Sequence, residues 1–312
     1  MTAEAVENAM RVLLALGGST NAIIHLAAIA GRLGLTVDLD RMNELSETTP
    51  VLVDLKPTGV GYMEDLHAAG GIPAVLRELR PLLHLDCVTV TGETIGERID
   101  AAHPWVDREI IRPVTDPIRE TGGLVALFGN LAPKGSILKR AAADPALFER
   151  EGRAVVFSSL EDLAARIDDP DLDVNPDDFL VLQNAGPVSE AAMPEAGYLP
   201  IPSKLARAGV KDMVRISDAR MSGTAYGTIV LHVTPDAASG GLLGLVRNGD
   251  RIRISVKERR VELLVSDDEL NKRVAPLHPE FETPTRGYSK LDAEQILGAD
   301  EGCDFAFLRP PQ

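Results

Sequence analysis

A chain of 312 residues with 45% hydrophobic content is long enough to bury a sizeable core and suggests two domains. Its formal net charge of −15 argues against a nucleic-acid or anionic-membrane partner, since either would need a basic surface. No stretch approaches the roughly 20 uninterrupted apolar residues of a membrane span, the start is not a signal peptide, and two distant cysteines give no disulfide framework; a cytoplasmic protein is expected.

In chain order, Ala5 to Leu16 carries Val6, Met10, Leu13 and Leu14 at helical spacing. After Gly17-Gly18, Ser19 is placed to cap a second helix with Ile23, Ile24, Ala27 and Ala30 as its buried stripe and Gly34 past its end. Both helices are strongly apolar and need other elements to cover them. If they stay partly uncovered, the chain alone should associate or aggregate. His25 reads as a packed core histidine. The Gly-Gly-Ser-Thr-Asn step has the free N–H groups of an anion site but lacks the lysine and the wider glycine spacing of a phosphate loop.

Val51 to Leu55 reads as a strand, followed by a loop and a helix at Met63-Glu64-Asp65. Adjacent Glu64 and Asp65 cannot point the same way, so at most one reaches a site; a solvated face is the alternative, and His67 is equally ambiguous. Pro73 suits the first turn of a helix from Ala74 to Leu79. Cys87 to Val90 reads as a short strand, with Cys87 a small buried hydrophobe, and Thr94 to about Ala102 as a helix. The Pro-, Arg- and Asp-rich run from Pro104 to Glu120 looks like a linker, placing a boundary near Arg119 between residues 1–119 and 120–312.

The second part is richer in strands: Leu124 to Phe128, Ala154 to Phe157, Phe179 to Leu182, Met213 to Ile216 and Thr228 to Val233. A hairpin follows, with Ile252, Ile254 and Val256 alternating against polar residues and Val261, Leu263 and Val265 returning. Helices are expected from Leu160 to Ile167 and from Ser203 to Ala208. Composition alone supports a mixed, strand-rich α/β fold.

Between two of those apolar runs lies Ser217-Asp218-Ala219-Arg220-Met221-Ser222-Gly223-Thr224-Ala225-Tyr226-Gly227. It sets hydroxyls, a carboxylate and a guanidinium in a glycine-flanked turn at strand ends, where a rigid scaffold can hold a site. An ordinary polar turn with a solvated Asp-Arg pair is the plainer reading.

This turn resembles the signature of the dihydroxy-acid and sugar-acid dehydratase family, in the form typical of its pentonate branch. Four further blocks agree, in family order: Ala15 to Ala22, Tyr62 to Asp65 with Ala69 to Arg77, Gly129 to Pro133, and Gly186 to Glu195. The resemblance implies a partial α/β domain followed by a β-barrel-like swivelling domain. It also implies removal of water from a 2,3-dihydroxy carboxylate, a small sugar acid, to give a 2-keto-3-deoxy acid, and assembly as dimers or tetramers.

Two steps of that chemistry are hard: taking a weakly acidic proton from C2 and expelling hydroxide from C3. In the family, Mg²⁺ binds the carboxylate and the C2 hydroxyl, and a [2Fe–2S] cluster binds the C3 hydroxyl. Carried over by motif, Ser222 is the base and Thr224 assists. Glu195 is a Mg²⁺ ligand, a hard anion for a hard cation, although alone it would read as a surface carboxylate. Ser217, Asp218, Arg220 and Glu64 are candidate substrate contacts.

The family's cluster cysteines, Asp-containing magnesium motif and carbamylated lysine lie upstream of what corresponds to Met1. Cys87 and Cys303 fall outside the cluster motifs and supply no cluster ligand. Two classes of function follow: part of a hydro-lyase completed by an N-terminal half, or a non-catalytic remnant or binding module that keeps the fold.

Overall fold

The computed structural model describes residues 1–311 except 190–192, 194–197, 222–225 and 274–283. Helices come first: α1 (Ala3–Ala15), α2 (Asn21–Gly31), α3 (Leu39–Thr48), α4 (Met63–Ala68), α5 (Gly71–Glu78) and α6 (Ile95–Ala101). Local chemistry sets several of their starts. Thr94 and Glu97 form a reciprocal capping box on α6, Asp38 accepts two N–H groups at α3, and Ser19 Oγ accepts from Asn21 N–H at α2.

The second part alternates β1 (Val125–Leu127), β2 (Gly135–Leu138), β3 (Glu149–Phe157), α7 (Leu160–Arg166), β4 (Phe179–Leu182), α8 (Ser203–Arg207), β5 (Arg215–Ser217), β6 (Ile229–Thr234), β7 (Arg251–Ser255) and β8 (Arg260–Leu263). Two helices follow, α9 (Asp267–Arg273) and α10 (Gly287–Gln295). The strands form one sheet in the order β1-β2-β6-β5-β4-β3-β7-β8. Neighbours from β6 through β3 are parallel, and the outer pairs are antiparallel.

The sheet curls until its ends meet. Phe128, just past β1, donates to Arg259 O at 2.9 Å and accepts from Val261 N–H at 2.7 Å. Gly129 follows at φ +150°, where a Cβ would stand 2.0 Å from Val261 O, so the close approach needs glycine. Two asparagines complete the strand edges. Asn130 donates to Leu263 O and accepts from Leu263 N–H on β8, and Asn43 of α3 does the same for Ala126 on β1.

Alternate side chains then sort inward and outward. Val125, Leu138, Val156, Val181, Ile216, Val230, Ile254 and Val261 fill the barrel interior. Leu180, Leu182, Ile229 and Leu231 face a second core under α7 and α8. The central strands β4 and β6 are buried on both faces, which is why β4 reads as an unbroken apolar run, while β6 is interrupted by His232.

The barrel-like mixed α/β architecture agrees with the expected fold class, and Phe179–Leu182 forms as predicted. Other expectations need correction. The apolar stripes of α1 and α2 are covered within the chain, by α3 and by Leu124, Ala126 and Ile137 from the barrel's outer face; only Ile29 and Leu33 are about half exposed. His25 is exposed rather than packed, because α2 is apolar nearly all round and its outward side still takes residues. Val51 to Leu55 and Cys87 to Val90 make only isolated bridges, since no extended neighbour runs beside them, and Cys87 is half-buried.

Candidate active site

The three central parallel strands end at Phe157, Leu182 and Ser217. Ligands of open parallel sheets bind outside such carboxyl ends, where loops diverge. Asp218 stands one residue beyond β5 and is 1% exposed. Its carboxylate accepts from Ala185 N–H at 3.1 Å and from Ala237 N–H at 2.9 Å, pinning the loops after β4 and β6 to the signature turn. Gly186 permits this convergence, because a Cβ there would lie 2.5 Å from Asp236 Cβ. Burial pushes the Asp218 pKa up to about 7 against the pull of the two N–H donors, and nearby Asp236 adds repulsion.

Ser217 is fully buried, and its Oγ accepts from Ala219 N–H at 3.0 Å. Arg220 donates from Nε to Met193 O at 2.7 Å, and Asn21 donates from Nδ2 to Met221 O at 3.1 Å. Three of the five sequence blocks, at the start of α2, after β4 and after β5, therefore meet around residues 217–221. Asn21 Oδ1 is buried there without a hydrogen bond among the described residues.

Ser222, Thr224 and Glu195 lie outside the described residues. Glu64 is exposed on α4, beside Asp65, whose Oδ2 accepts from Tyr62 N–H at 2.7 Å as a helix cap. No described contact joins Glu64 to the signature turn.

Sequence reasoning missed what holds the far end of that turn. Arg215, at 1% exposure, donates to Met213 O, Leu199 O, Tyr226 O and Asp212 Oδ1. Asp212 in turn accepts from the Thr228 N–H and hydroxyl and from Asp144 N–H. Gly227 passes between the two at φ +115°, where a Cβ would lie 2.0 Å from Arg215 Nη2. The available signal was an arginine inside the apolar run Met213 to Ile216.

His232 was also missed. It occupies a bulge of β6 opposite Ser136, at φ 58°, and donates its backbone N–H to Ala219 O at 3.1 Å. The ring is buried and neither nitrogen has a hydrogen-bond partner among the described residues. Burial, with Arg220 nearby, lowers its pKa to about 3, so the ring is neutral. It lines a cavity of about 10 Å³ together with Asp300, whose Oδ1 likewise has no partner among the described residues.

The described residues do not fit a [2Fe–2S] cluster. Cys303 Sγ lies 3.5 Å from Met193 Sδ in a small core with Ile24 and Ala299, where burial pushes its thiol up to about 12. Cys87 sits elsewhere, its carbonyl accepting from Ile95 N–H. Such clusters take about four protein ligands as thiolates or imidazoles. Among the described residues no group of three or more His, Cys, Asp or Glu side chains is arranged to hold a metal ion. No helix among them is long and apolar enough to cross a membrane.

A closed mixed barrel with loops gathered at its parallel carboxyl edge defines a scaffold for a loop-borne site. Family models make the assignment specific: dihydroxy-acid/6-phosphogluconate dehydratase N-terminal matches residues 1–98, and the corresponding C-terminal model matches residues 109–303. The chain belongs to this dehydratase family.

Over 311 residues it is 46% identical to the L-arabinonate dehydratase of Rhizobium leguminosarum bv. trifolii (strain WSM2304), covering 99% of this chain and 54% of that protein. It is 47% identical over 317 residues to the L-arabonate dehydratase of Azospirillum brasilense, again with 99% and 54% coverage. Against the dihydroxy-acid dehydratase of Carboxydothermus hydrogenoformans the figure is 42% over 307 residues, covering 96% and 54%. The chain thus spans about half the length of these relatives.

Proposed function

We propose that this chain is the signature-bearing part of a hydro-lyase that converts a sugar acid, a 2,3-dihydroxy carboxylate, to a 2-keto-3-deoxy acid. One observation carries the reading: identity is 46–47% to relatives named for sugar acids and 40–42% to those named dihydroxy-acid dehydratase. A 6-deoxy-6-sulfo-D-gluconate dehydratase of Pseudomonas putida also stands at 46%, so the preference is for sugar acids as a class rather than for one pentonate.

In the proposed reaction Ser222, as alkoxide, takes the C2 proton. The released electron pair forms the C2–C3 double bond, the C3–O bond breaks, and the departing hydroxyl leaves as water after gaining a proton. The enol then ketonises to the 2-keto acid. A serine is a base only in a strongly cationic field. Arg220, two residues away, supplies one such charge and is the proposed partner of the substrate carboxylate.

Thr224 assists, and Glu195 would supply one hard anionic oxygen ligand were Mg²⁺ bound, the ion then polarising the substrate carboxylate and C2 hydroxyl. Ser217 and Asp218, with their oxygens turned to backbone N–H groups, are proposed to position the turn. Glu64 remains a candidate substrate contact only if further chain closes over α4. The Lewis acids that the family implies are proposed to come with an N-terminal half.

The test completes the chain with the N-terminal half of a pentonate dehydratase, in trans or by fusion. Ser222→Ala should then lower kcat by at least roughly 10²-fold with cluster content unchanged. Glu195→Gln should lose activity that is partly recovered at raised Mg²⁺, and Thr224→Ala should be milder than Ser222→Ala. Near-normal turnover in Ser222→Ala would remove the base assignment.

A further inference from the structure

A chain with 47 acidic and 32 basic side chains should surround most of its cations with carboxylates. One cavity does the reverse. It lies in the seam between the helical part and the β7–β8 hairpin, measures about 610 Å³, and is lined by Arg119, Arg140, Lys257 and Arg259 against Glu47 and Glu149. That volume is within the ordinary range for small-molecule pockets, roughly 300–1,000 Å³.

The two carboxylates leave the excess charge unanswered. Glu149 is engaged by Ser255 Oγ and Lys257 N–H, on its own side of the hairpin. Glu47 is shared, 3.1 Å from Arg140 Nη1 and 3.9 Å from Arg259 Nη2. Arg140 is itself occupied, giving its other donors to Gly122 O, Ser46 O and Ser46 Oγ. Arg119 spends only Nη2, on Ala141 O at 3.2 Å, and Lys257 Nζ has no partner among the described residues. Burial above all disfavours the Arg140 charge, Glu47 supports it, and Arg259 and Arg119 oppose it, so the three guanidinium groups that line the cavity share mainly the one carboxylate of Glu47. Such forks match the oxygens of phosphoryl and carboxylate groups, and pairing with a double negative charge relieves their mutual repulsion.

We propose that this pocket binds a small organic dianion, a phosphomonoester or a dicarboxylate, with Arg119 and Arg259 as the recognising pair, Lys257 at the rim and Arg140 as a fixed wall of charge. The site is separate from the signature turn and does not depend on the dehydratase reading. It is nevertheless tied to that turn: Arg119 holds Ala141 O, and the next carbonyl, Ala142 O, accepts from Gly227 N–H at 3.1 Å.

The experiment titrates the purified chain with inorganic phosphate and, separately, with malonate at constant ionic strength, read by calorimetry. Saturable binding of either probe, weakened at least about tenfold in Arg119→Gln/Arg259→Gln, is expected, a tenfold loss being the effect of a single charge-assisted contact of about 1.4 kcal/mol. Arg251→Gln, which removes one charge from the exposed pair with Glu151, as Lys257→Gln removes one from the pocket, should leave affinity within twofold. Lys257→Gln, at an exposed side chain, gives a second reading should the double variant fold poorly, and should weaken binding at least threefold. Phosphate binding alone assigns a phosphoryl ligand and malonate binding alone a dicarboxylate. Failure of both probes to saturate, or equal binding by the parent, the double variant and Lys257→Gln, would overturn the proposal.

Discussion

Two buried polar groups beside the segment joining β5 to β6 are treated in opposite ways. At the Tyr226–Thr228 end Arg215 and Asp212 are buried charges with every neighbour paired: one guanidinium serves three carbonyls and a carboxylate, and that carboxylate serves three residues. Beyond it on β6, His232 is a buried polar ring with both nitrogens unpaired among the described residues, in a left-handed backbone conformation few side chains adopt. The first arrangement is a lock. The second costs stability wherever it stands, and such exceptions cluster where a structure serves something other than its own stability.

The largest effect should come from cutting the lock. Arg215→Met leaves the Asp212 charge and two buried carbonyls unanswered, so urea denaturation should show a loss of about 3–5 kcal/mol, and adding Asp212→Asn should recover part of it. A loss below about 1 kcal/mol would mean that the ion pair is ornamental. Next comes Gly227→Ala, which brings a Cβ into Arg215 and Asp212 at positive φ. About 1–3 kcal/mol or more is expected, with Thr228→Val, which removes one hydroxyl, clearly milder.

The smallest effect at neutral pH, and the one that most directly contrasts the two kinds of burial, is in proton linkage. His232 titrates at about 3 in the folded chain, below the ordinary 6.5, so its share of stability is lost as pH falls from about 6.5 toward 3. Asp218 titrates at about 7, above the ordinary 3.8, so the folded state keeps a proton the unfolded chain gives up, and its share is lost as pH rises from about 4 through 7. Between about pH 4 and 6.5 the two slopes oppose, each limited to about 1.4 kcal/mol per pH unit. His232→Leu should change stability at pH 7 by less than about 1 kcal/mol, since it removes unpaired groups, yet leave a chain that gains stability relative to the parent on acidification. Asp218→Asn should do the reverse. Parallel pH profiles for the parent and both variants would show that neither group titrates as its burial demands.

How legible these features were depended on whether their signal is local. Phe179–Leu182 announced itself because a strand buried on both faces leaves no polar residue in the run. α6 was expected from Thr94 onward, and the Thr94–Glu97 cap that starts it is equally local. Gly135–Leu138 escaped notice, since a glycine and a serine open a strand of four whose partners are β1 and β6. α3 escaped because buried Asn43 and Ser46 interrupt its apolar stripe, and both are there to serve β1. Within the site, the turn's residue types were readable, whereas the contacts Asn21 to Met221 and Arg220 to Met193 span long sequence separations that no spacing rule reaches. Arg215 sat in plain view in a strand, but the carboxylate that makes it tolerable approaches only through the fold.

Asn43 and Asn130 reach further than the two strands they touch. A sheet with unpaired outer strands offers a row of amides on which another chain can build, which is the usual route to fibrils and strand exchange. Here each outer strand has met an amide side chain that copies a neighbouring strand's donor and acceptor, and Phe128 fills the remaining gap. Any association of this chain through its barrel is thereby steered away from backbone templating and toward contacts between side-chain faces, which are reversible and selective in a way that growing sheets are not.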